Sequence, residues 1–300
     1  MFKKILLIVG LSLAIASEAK VLILIPAYNR PDFIEVQHKT FQKLLEDDYE
    51  LVVFNNADNS LMHGQMHAMC EKLGLRCIDV PQEIHNRPYL FREPGENYNH
   101  PTVRNVNTVQ YSLNTLGFDH NDIVLLCDSD LFLVKKFSIR KFLAGYDLGG
   151  ALGANGYVNY LWHGLAFLDM RALPNNRSLS FNCGRVDGKP IDGGGHSYYY
   201  LKSNPDVKAR YVNHHHVGDF QCDQCRREHR LVCLHNTVLL ERAGFDEHQI
   251  RFLQSAHNVE FFHNNTFLHY RGGTNWDNKS GQYHKQKTDA LQKYLDAVLQ

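Results

Sequence analysis

Asp122-Ile-Val-Leu-Leu-Cys-Asp128-Ser129-Asp130-Leu-Phe-Leu-Val134 is the stretch that decides the fold. Ile123 to Leu126 form an unbroken apolar run, the pattern of a strand covered on both faces in a largely parallel sheet. Side chains alternate along a strand, so residues two apart share a face. Asp128 and Asp130 therefore form a carboxylate pair at the strand's carboxyl end, the crevice where open α/β sheets hold their ligands. Such a pair suits a hard divalent cation that keeps positions open for phosphate oxygens. Asp-Ser-Asp is also ordinary turn chemistry, so its meaning depends on partners elsewhere in the chain.

Upstream, strand and helix patterns alternate. Val21–Ile25 is a second continuous apolar run, ended by Pro26-Ala-Tyr-Asn-Arg-Pro31. A helix follows from Asp32, which can cap its first turn, with Phe33, Val36, Phe41, Leu44 and Leu45 at helical intervals. Leu51–Phe54 is the next strand and runs into Asn55-Asn56-Ala57-Asp58-Asn59. His63–Leu73 is helical with Gly74 as its stop, and Cys77–Val80 is a third strand. Ile84–His100 is polar and rich in Pro, Asn and Tyr, a loop that leads to a helix over Thr102–Leu116. This alternation predicts βαβ units and an open, mostly parallel sheet flanked by helices.

Beyond Asp130 the pattern changes. Glycines at Gly149, Gly150 and Gly153 lie among short β-like runs, and Leu161–Leu168 is another strand. A helix from Tyr283 places Ala290, Leu291, Tyr294, Leu295, Val298 and Leu299 on one face, which should dock on the body. No repeat or low-complexity linker divides the chain. The expected layout is one domain over 20–300, with halves at 20–135 and 136–282 and a terminal helix over 283–300.

Three hundred residues at 44% hydrophobic content suffice for a sizeable core. A formal net charge of zero argues against a nucleic-acid binder working through a basic face. Eighteen histidines direct attention to metal binding. Residues 1–19 combine Lys3 and Lys4, an apolar stretch short for a membrane span, and Ser17-Glu18-Ala19 as a small-x-small cleavage site. They are expected to be a signal peptide or a signal anchor, the latter giving membrane association through the N-terminus. Asn-x-Ser/Thr sequons at Asn176, Asn264 and Asn278 agree with glycosylation in a secretory-pathway lumen. Cys222-Asp-Gln-Cys225, with His229 and Cys233 after it, has the ligand character of a structural zinc site. The alternative there is a disulfide network, for which the chain's seven cysteines offer partners such as Cys183.

The order of these motifs resembles that of nucleotide-sugar glycosyltransferases of the GT-A fold, most clearly over residues 21 to about 135. The resemblance implies an enzyme that moves a sugar from a nucleotide-diphosphate sugar to a hydroxyl acceptor on a glycan, glycoprotein or glycolipid. It implies that Pro26, Ala27, Tyr28 and Arg30 line the pocket for base and ribose, and that Asn55, Asn56 and Asp58 face the base. Arg104 and Asn105 match an Arg-Asn pair that approaches the nucleotide. Asp128 and Asp130 match the Asp-x-Asp motif that holds manganese or magnesium, with Asp128 shared with the ribose. His269 completes the metal site, and Arg271 or Lys279 contacts phosphate. Trp162, His163 and Gly164 resemble the segment near the sugar. Asp192, before Gly193-Gly-Gly195, is the expected catalytic base, with Asp187 second.

Two other functions start from the same features. A nucleotidyltransferase that makes nucleotide sugars calls for a Gly-rich basic loop after the first strand, and Pro26–Pro31 holds no glycine. A secreted binding module organised by zinc or disulfides around residues 214–235 leaves the Asp-Ser-Asp strand without a purpose.

Overall fold

In the computed structural model, residues 19–86, 101–216, 247, 259–273 and 281–300 are described. The elements run β1 (Val21–Ala27), α1 (Pro31–Leu44), β2 (Tyr49–Asn55), α2 (Ser60–Leu73), β3 (Arg76–Asp79), α3 (Pro101–Thr115), β4 (Ile123–Cys127) and β5 (Leu131–Leu133). They continue α4 (Ile139–Leu143), β6 (Leu148–Asn155), β7 (Val158–Asp169), β8 (Gly184–Val186), β9 (Lys189–Ile191), α5 (Ser197–Ser203), β10 (Ala209–Val212), β11 (His214–His216), β12 (Val259–Phe262), β13 (Phe267–Tyr270) and α6 (Gly281–Leu299).

The main sheet has seven strands in the order β10-β6-β7-β4-β1-β2-β3, and β7 alone runs against the others. The reason lies in β1, which is buried at every position. Val21, Ile23 and Ile25 pack into one core with Ile34 and Phe41 of α1 and Met66 and Cys70 of α2. Leu22 and Leu24 pack into another with Val109 and Leu113 of α3. Helices therefore cover both faces, which is why the strand reads as a continuous apolar run. Each such side chain contributes roughly 1.5–3 kcal/mol by leaving water. The open, mostly parallel α/β architecture implied by the GT-A resemblance is the one observed.

Differences from the sequence expectations are local. Asp32 does not cap α1; Arg30 is the N-cap residue, Pro31 occupies the first turn, and both Asp32 oxygens accept from the Arg30 guanidinium at 2.8 and 2.6 Å. Pro31 offers no N–H to cap, and the carboxylate is more strongly satisfied by a bidentate cation. The strand around Leu161 spans twelve residues and pairs antiparallel with both β4 and β6. The helix expected from Tyr283 starts at Gly281, and Ala290, Leu291, Tyr294 and Leu295 bury against Phe33, Phe132 and Phe261. Cys70, Cys77 and Cys127 are free thiols. Cys222, Cys225, His229, Cys233, Asn278, Lys279 and nearly all of the N-terminal segment lie outside the described residues. Among the described residues no helix is long and apolar enough to cross a membrane.

A second sheet, β11-β12-β13-β5, is antiparallel. It matters because β5 leaves the Asp-Ser-Asp turn directly and pairs with β13: Leu131 faces His269, Phe132 faces Leu268, and Leu133 faces Phe267. The far end of the chain is thereby placed beside the end of β4.

Gly150 marks a register shift in the β6–β7 pair, at φ 151°. A Cβ there would stand 2.4 Å from the Leu165 carbonyl oxygen. Gly150→Ala should lower stability by about 1–3 kcal/mol, read as a lower denaturant midpoint with unchanged slope; a midpoint equal to wild type would refute the close approach.

Candidate functional site

The carboxyl ends of β1, β2 and β4 open on a cavity of about 480 Å³. Its walls include Pro26, Tyr28, Asn56, Arg104, Asn105, Asp128, Asp130, Trp162, His163, Asp192 and His269. The sequence separates these residues by up to 243 positions, so the sheet order assembles the site.

At the floor, one ligand atom each from Asp128, Asp130 and His269 lies within 4.8 Å of the others. All three residues are buried, at 7%, 9% and 8% exposure. His269 Nε2 stands 3.5 Å from Asp130 Oδ1, and its Nδ1 meets Glu260 Oε2 at 3.2 Å. Glu260 is the cross-strand partner of His269 in the β12–β13 pair. A carboxylate behind the imidazole fixes the tautomer and points the other nitrogen inward, the usual support of a metal-ligating histidine.

Burial shapes the charges. It pushes the Asp128 carboxyl up, with nearby Asp130 adding to the rise against the pull of His163 and Asn105. Burial alone would raise Asp130 as well, but His269, the Gly273 N–H and Lys287 hold it below its ordinary value. For His269, burial opposes the proton, and Asp130 with Glu260 overcome it, raising the imidazole to about 10. Removing two carboxylates and an imidazole from water is costly unless something positive sits among them.

Backbone contacts hold the turn rigid. Gln37, on α1 and 1% exposed, donates its amide to the Asp128 carbonyl at 2.9 Å and the Leu131 carbonyl at 2.7 Å. The Asp128 N–H donates to Gly164 O, and the Tyr270 N–H to Asp130 O. Gly164 and Gly273 make close approaches: a Cβ on the first would lie 2.6 Å from Asp128 Oδ2, on the second 2.7 Å from Asp130 Cβ. Gln37, Glu260 and these glycines were not singled out as support for the acidic pair by sequence reasoning. Gln37 falls on the apolar face of α1, and a polar residue there was the available signal.

α3 brings its first turns to the cavity. Asn105 Nδ2 donates to Asp128 Oδ1 at 2.9 Å and lies 3.1 Å from His163 Nε2. The Asn105 amide thus ties the Asp128 carboxylate to the His163 ring. Arg104 donates to Asn56 Oδ1 and Gln82 Oε1, each at 3.0 Å, and its guanidinium lies 5.3 Å from the Tyr28 ring centre. Tyr28 in turn donates to Asp58 at 2.6 Å; burial and that carboxylate push its hydroxyl up to about 12. Three buried polar atoms on this wall lack a partner among the described residues: Arg104 Nε, Asn105 Oδ1 and His163 Nδ1. Unsatisfied buried groups around a cavity point to a polar ligand.

Most of the other singled-out residues stand back from the cavity, and Asp192 lines it. Arg30 is 7% exposed and bridges Asp32, the Phe33 ring and the Gly273 carbonyl, so it joins the β1 turn to the C-terminal strand segment. Ala27 is buried, and Asn55 holds its own turn through Ala57 N, His63 O and Asp79. Asp58 gathers Tyr28, Asn29 and Asn59. Arg271 pairs with Glu260 at 2.9 Å. Asp187 sits at φ 49° in the two-residue turn between β8 and β9, followed by Gly188 at φ 79°, a hairpin geometry that Asp-Gly serves. Asp192 is exposed on the cavity wall, its Oδ1 accepting from Gly193 N at 2.7 Å.

No family model and no curated protein sequence matches the chain. Among solved structures, glucosyl-3-phosphoglycerate synthase from Mycobacterium tuberculosis in complex with Mn2+, UDP-glucose and phosphoglyceric acid is similar at 18% identity. It aligns over 64% of this chain and 69% of that one, with a TM-score of 0.38. An active-site mutant of LgtC is similar at 14% identity over 64% and 73% of the two chains, with a TM-score of 0.42. Overlaps at these scores do not by themselves assign an activity to this chain.

Gln37→Leu keeps the volume but leaves the Asp128 and Leu131 carbonyls without their donor. The expected loss is about 1–3 kcal/mol, seen as reduced thermal and denaturant stability. Wild-type stability in this variant would show that the amide does not hold the turn.

Proposed function

We propose that the protein is a metal-dependent glycosyltransferase that moves a sugar from a nucleoside-diphosphate sugar to a hydroxyl acceptor. One observation carries this: Asp128, Asp130 and a Glu260-backed His269 converge in a buried cluster at the carboxyl ends of a parallel sheet, beneath a cavity with unsatisfied polar walls.

The donor set fits a divalent ion. Asp130, His269 and the shared carboxylate of Asp128 would offer it protein ligands, and such an ion has room left for solvent and phosphate oxygens. The nitrogen ligand favours manganese over magnesium. When bound, such an ion neutralises charge on the diphosphate leaving group as Lewis acid and template. Asp130 and His269 would hold it directly, while Asp128, kept in place by Asn105, would be shared with the ribose.

The remaining residues bind and orient. Tyr28, Asn56 and Arg104 would flank base and ribose, the stacked guanidinium and phenol giving a flat polar surface. Trp162 lies with its ring stacked at 17° on Phe262 and 5.1 Å from the His269 ring, and would wall the sugar from water. Asp192 would take the acceptor hydroxyl's proton as general base, which implies inversion at the anomeric carbon. The N-terminal segment, as a signal peptide or anchor, would set the enzyme in the lumen of the secretory pathway, where glycan, glycoprotein or glycolipid hydroxyls are the acceptors.

Asp130→Asn should abolish the manganese dependence of UDP binding and lower donor turnover by about 100-fold or more. Calorimetry with and without Mn2+ reads the first, and release of UDP across a panel of nucleotide sugars the second. Unchanged metal-dependent binding in that variant would sink the assignment. Asp192→Asn should keep donor binding while transfer falls by about 10²–10⁴-fold; loss of binding instead would make Asp192 a donor contact.

A further inference from the structure

Away from this site, α2 and the edge strand β3 carry a second convergence. His63 and His67 are four apart on α2, so their side chains rise from one helical face. The helix starts on an Asn59 cap and stops at Gly74, whose φ of 66° turns the chain sharply. β3 then runs back along the helix, which brings its last residue, Asp79, beside the helix's first half. His63 Nε2 and His67 Nε2 lie 2.8 and 2.7 Å from the same oxygen, Asp79 Oδ1. The two rings are 4.9 Å apart at 55°. Asn55 Nδ2 adds a contact of 3.3 Å to that oxygen and also donates to the His63 carbonyl at 3.2 Å, which fixes both ligands from behind.

We propose that His63, His67 and Asp79 form a binding site for a zinc-class divalent cation that staples α2 to the edge of the main sheet. The donor set is two imidazoles and one carboxylate, all contributing one atom within 4.8 Å of the others. Zinc accepts nitrogen and oxygen at about 2.0–2.2 Å in tetrahedral array, with solvent in the fourth position. Around such a centre the ligand atoms stand about 3.3 Å apart, so the present spacing must open by roughly half an ångström. The side chains, 42%, 42% and 52% exposed, are free to make that shift. Imidazole-rich donors select this class of ion, whereas the Asp128–Asp130 pair suits harder ions. The two sites therefore differ in donor set, one richer in imidazole and the other in carboxylate.

The cluster also occupies a place where a staple has work to do. β3 is the last strand of the seven-stranded sheet, so among the described residues one of its edges has no strand partner. Edge strands are commonly protected by covering elements. An exposed His–Asp pair is worth little on its own, and a shared metal would tie helix and strand far more firmly. This inference stands independently of the proposed reaction.

The test uses the full chain stripped of metal and then titrated with Zn2+, and with Co2+ as a spectroscopic substitute, in millimolar Mn2+ to occupy the Asp128–Asp130–His269 site, with Asp130→Asn run in parallel. Expected are one tightly bound equivalent with the absorption of tetrahedral Co2+ and a rise in melting temperature on adding Zn2+. His67→Ala and His63→Gln should each lose that equivalent, with affinity lower by at least about 100-fold, and should lose the Zn2+-dependent rise. His67→Cys, which keeps a zinc ligand, should retain it, and Asp130→Asn should leave it untouched. Circular dichroism of the metal-free variants verifies the fold. Zinc stoichiometry and stabilisation unaltered in both His63→Gln and His67→Ala would overturn the site, as would loss of the equivalent in Asp130→Asn alone.

Discussion

The antiparallel pairing of β5 with β13 is the constraint on which the candidate site depends. Without it, Asp128 and Asp130 are two acids at the end of a strand. With it, Leu131 is registered against His269, the Tyr270 N–H binds the Asp130 carbonyl, and the imidazole arrives over the carboxylate. A strand slipped by one residue would turn every side chain to the other face. The apolar neighbours on both strands hold that register, since Phe132, Phe267 and Leu268 are all buried.

Burying this much charge shapes the surrounding structure. Glu260 stands behind His269, Arg271 pairs with Glu260, and the Lys287 ammonium lies over the Tyr270 ring while donating to the Arg271 carbonyl. Lys287 belongs to α6, whose apolar face packs on Phe33, Phe132 and Phe261. The C-terminal helix is therefore more than a cover for apolar surface. It delivers a buried cation to the edge of the acidic cluster. Arg30 performs a comparable task from the other side, joining the β1 turn to Gly273.

The wall made by α3 shows how support and contact are divided. Asn105 spends its amide hydrogens on Asp128 and His163, leaving its carbonyl oxygen open. Arg104 uses one arm on Asn56 and Gln82, leaving Nε without a partner among the described residues. Each side chain is thus oriented by protein and still has capacity for a ligand, which is the condition for preorganised binding.

The sequence by itself determined the layered architecture and the acidic pair. Continuous apolar strands such as Val21–Ile25 and Ile123–Leu126 can be buried only between two helical layers, and the second of them runs straight into Asp128-Ser-Asp130; the alternation of a strand stops at Cys127, so it is the turn after β4 that brings the two carboxylates together. It could also name His269 as a partner, though only by resemblance. What it could not decide was which polar residues face inward. Arg30, Arg271 and Asp187 carry the chemistry of phosphate or proton handling, yet Arg30 pairs with Asp32, Arg271 pairs with Glu260, and Asp187 sits at a positive φ in a hairpin turn. Gln37, an ordinary helix residue in the sequence, becomes the clamp on the acidic turn. His63, His67 and Asp79 look like surface residues until β3 folds back along α2. Only tertiary structure settles such assignments, because hydrogen bonds and ligand sites form between atoms that are close in space, and the sheet order that makes them close is not written in local periodicity.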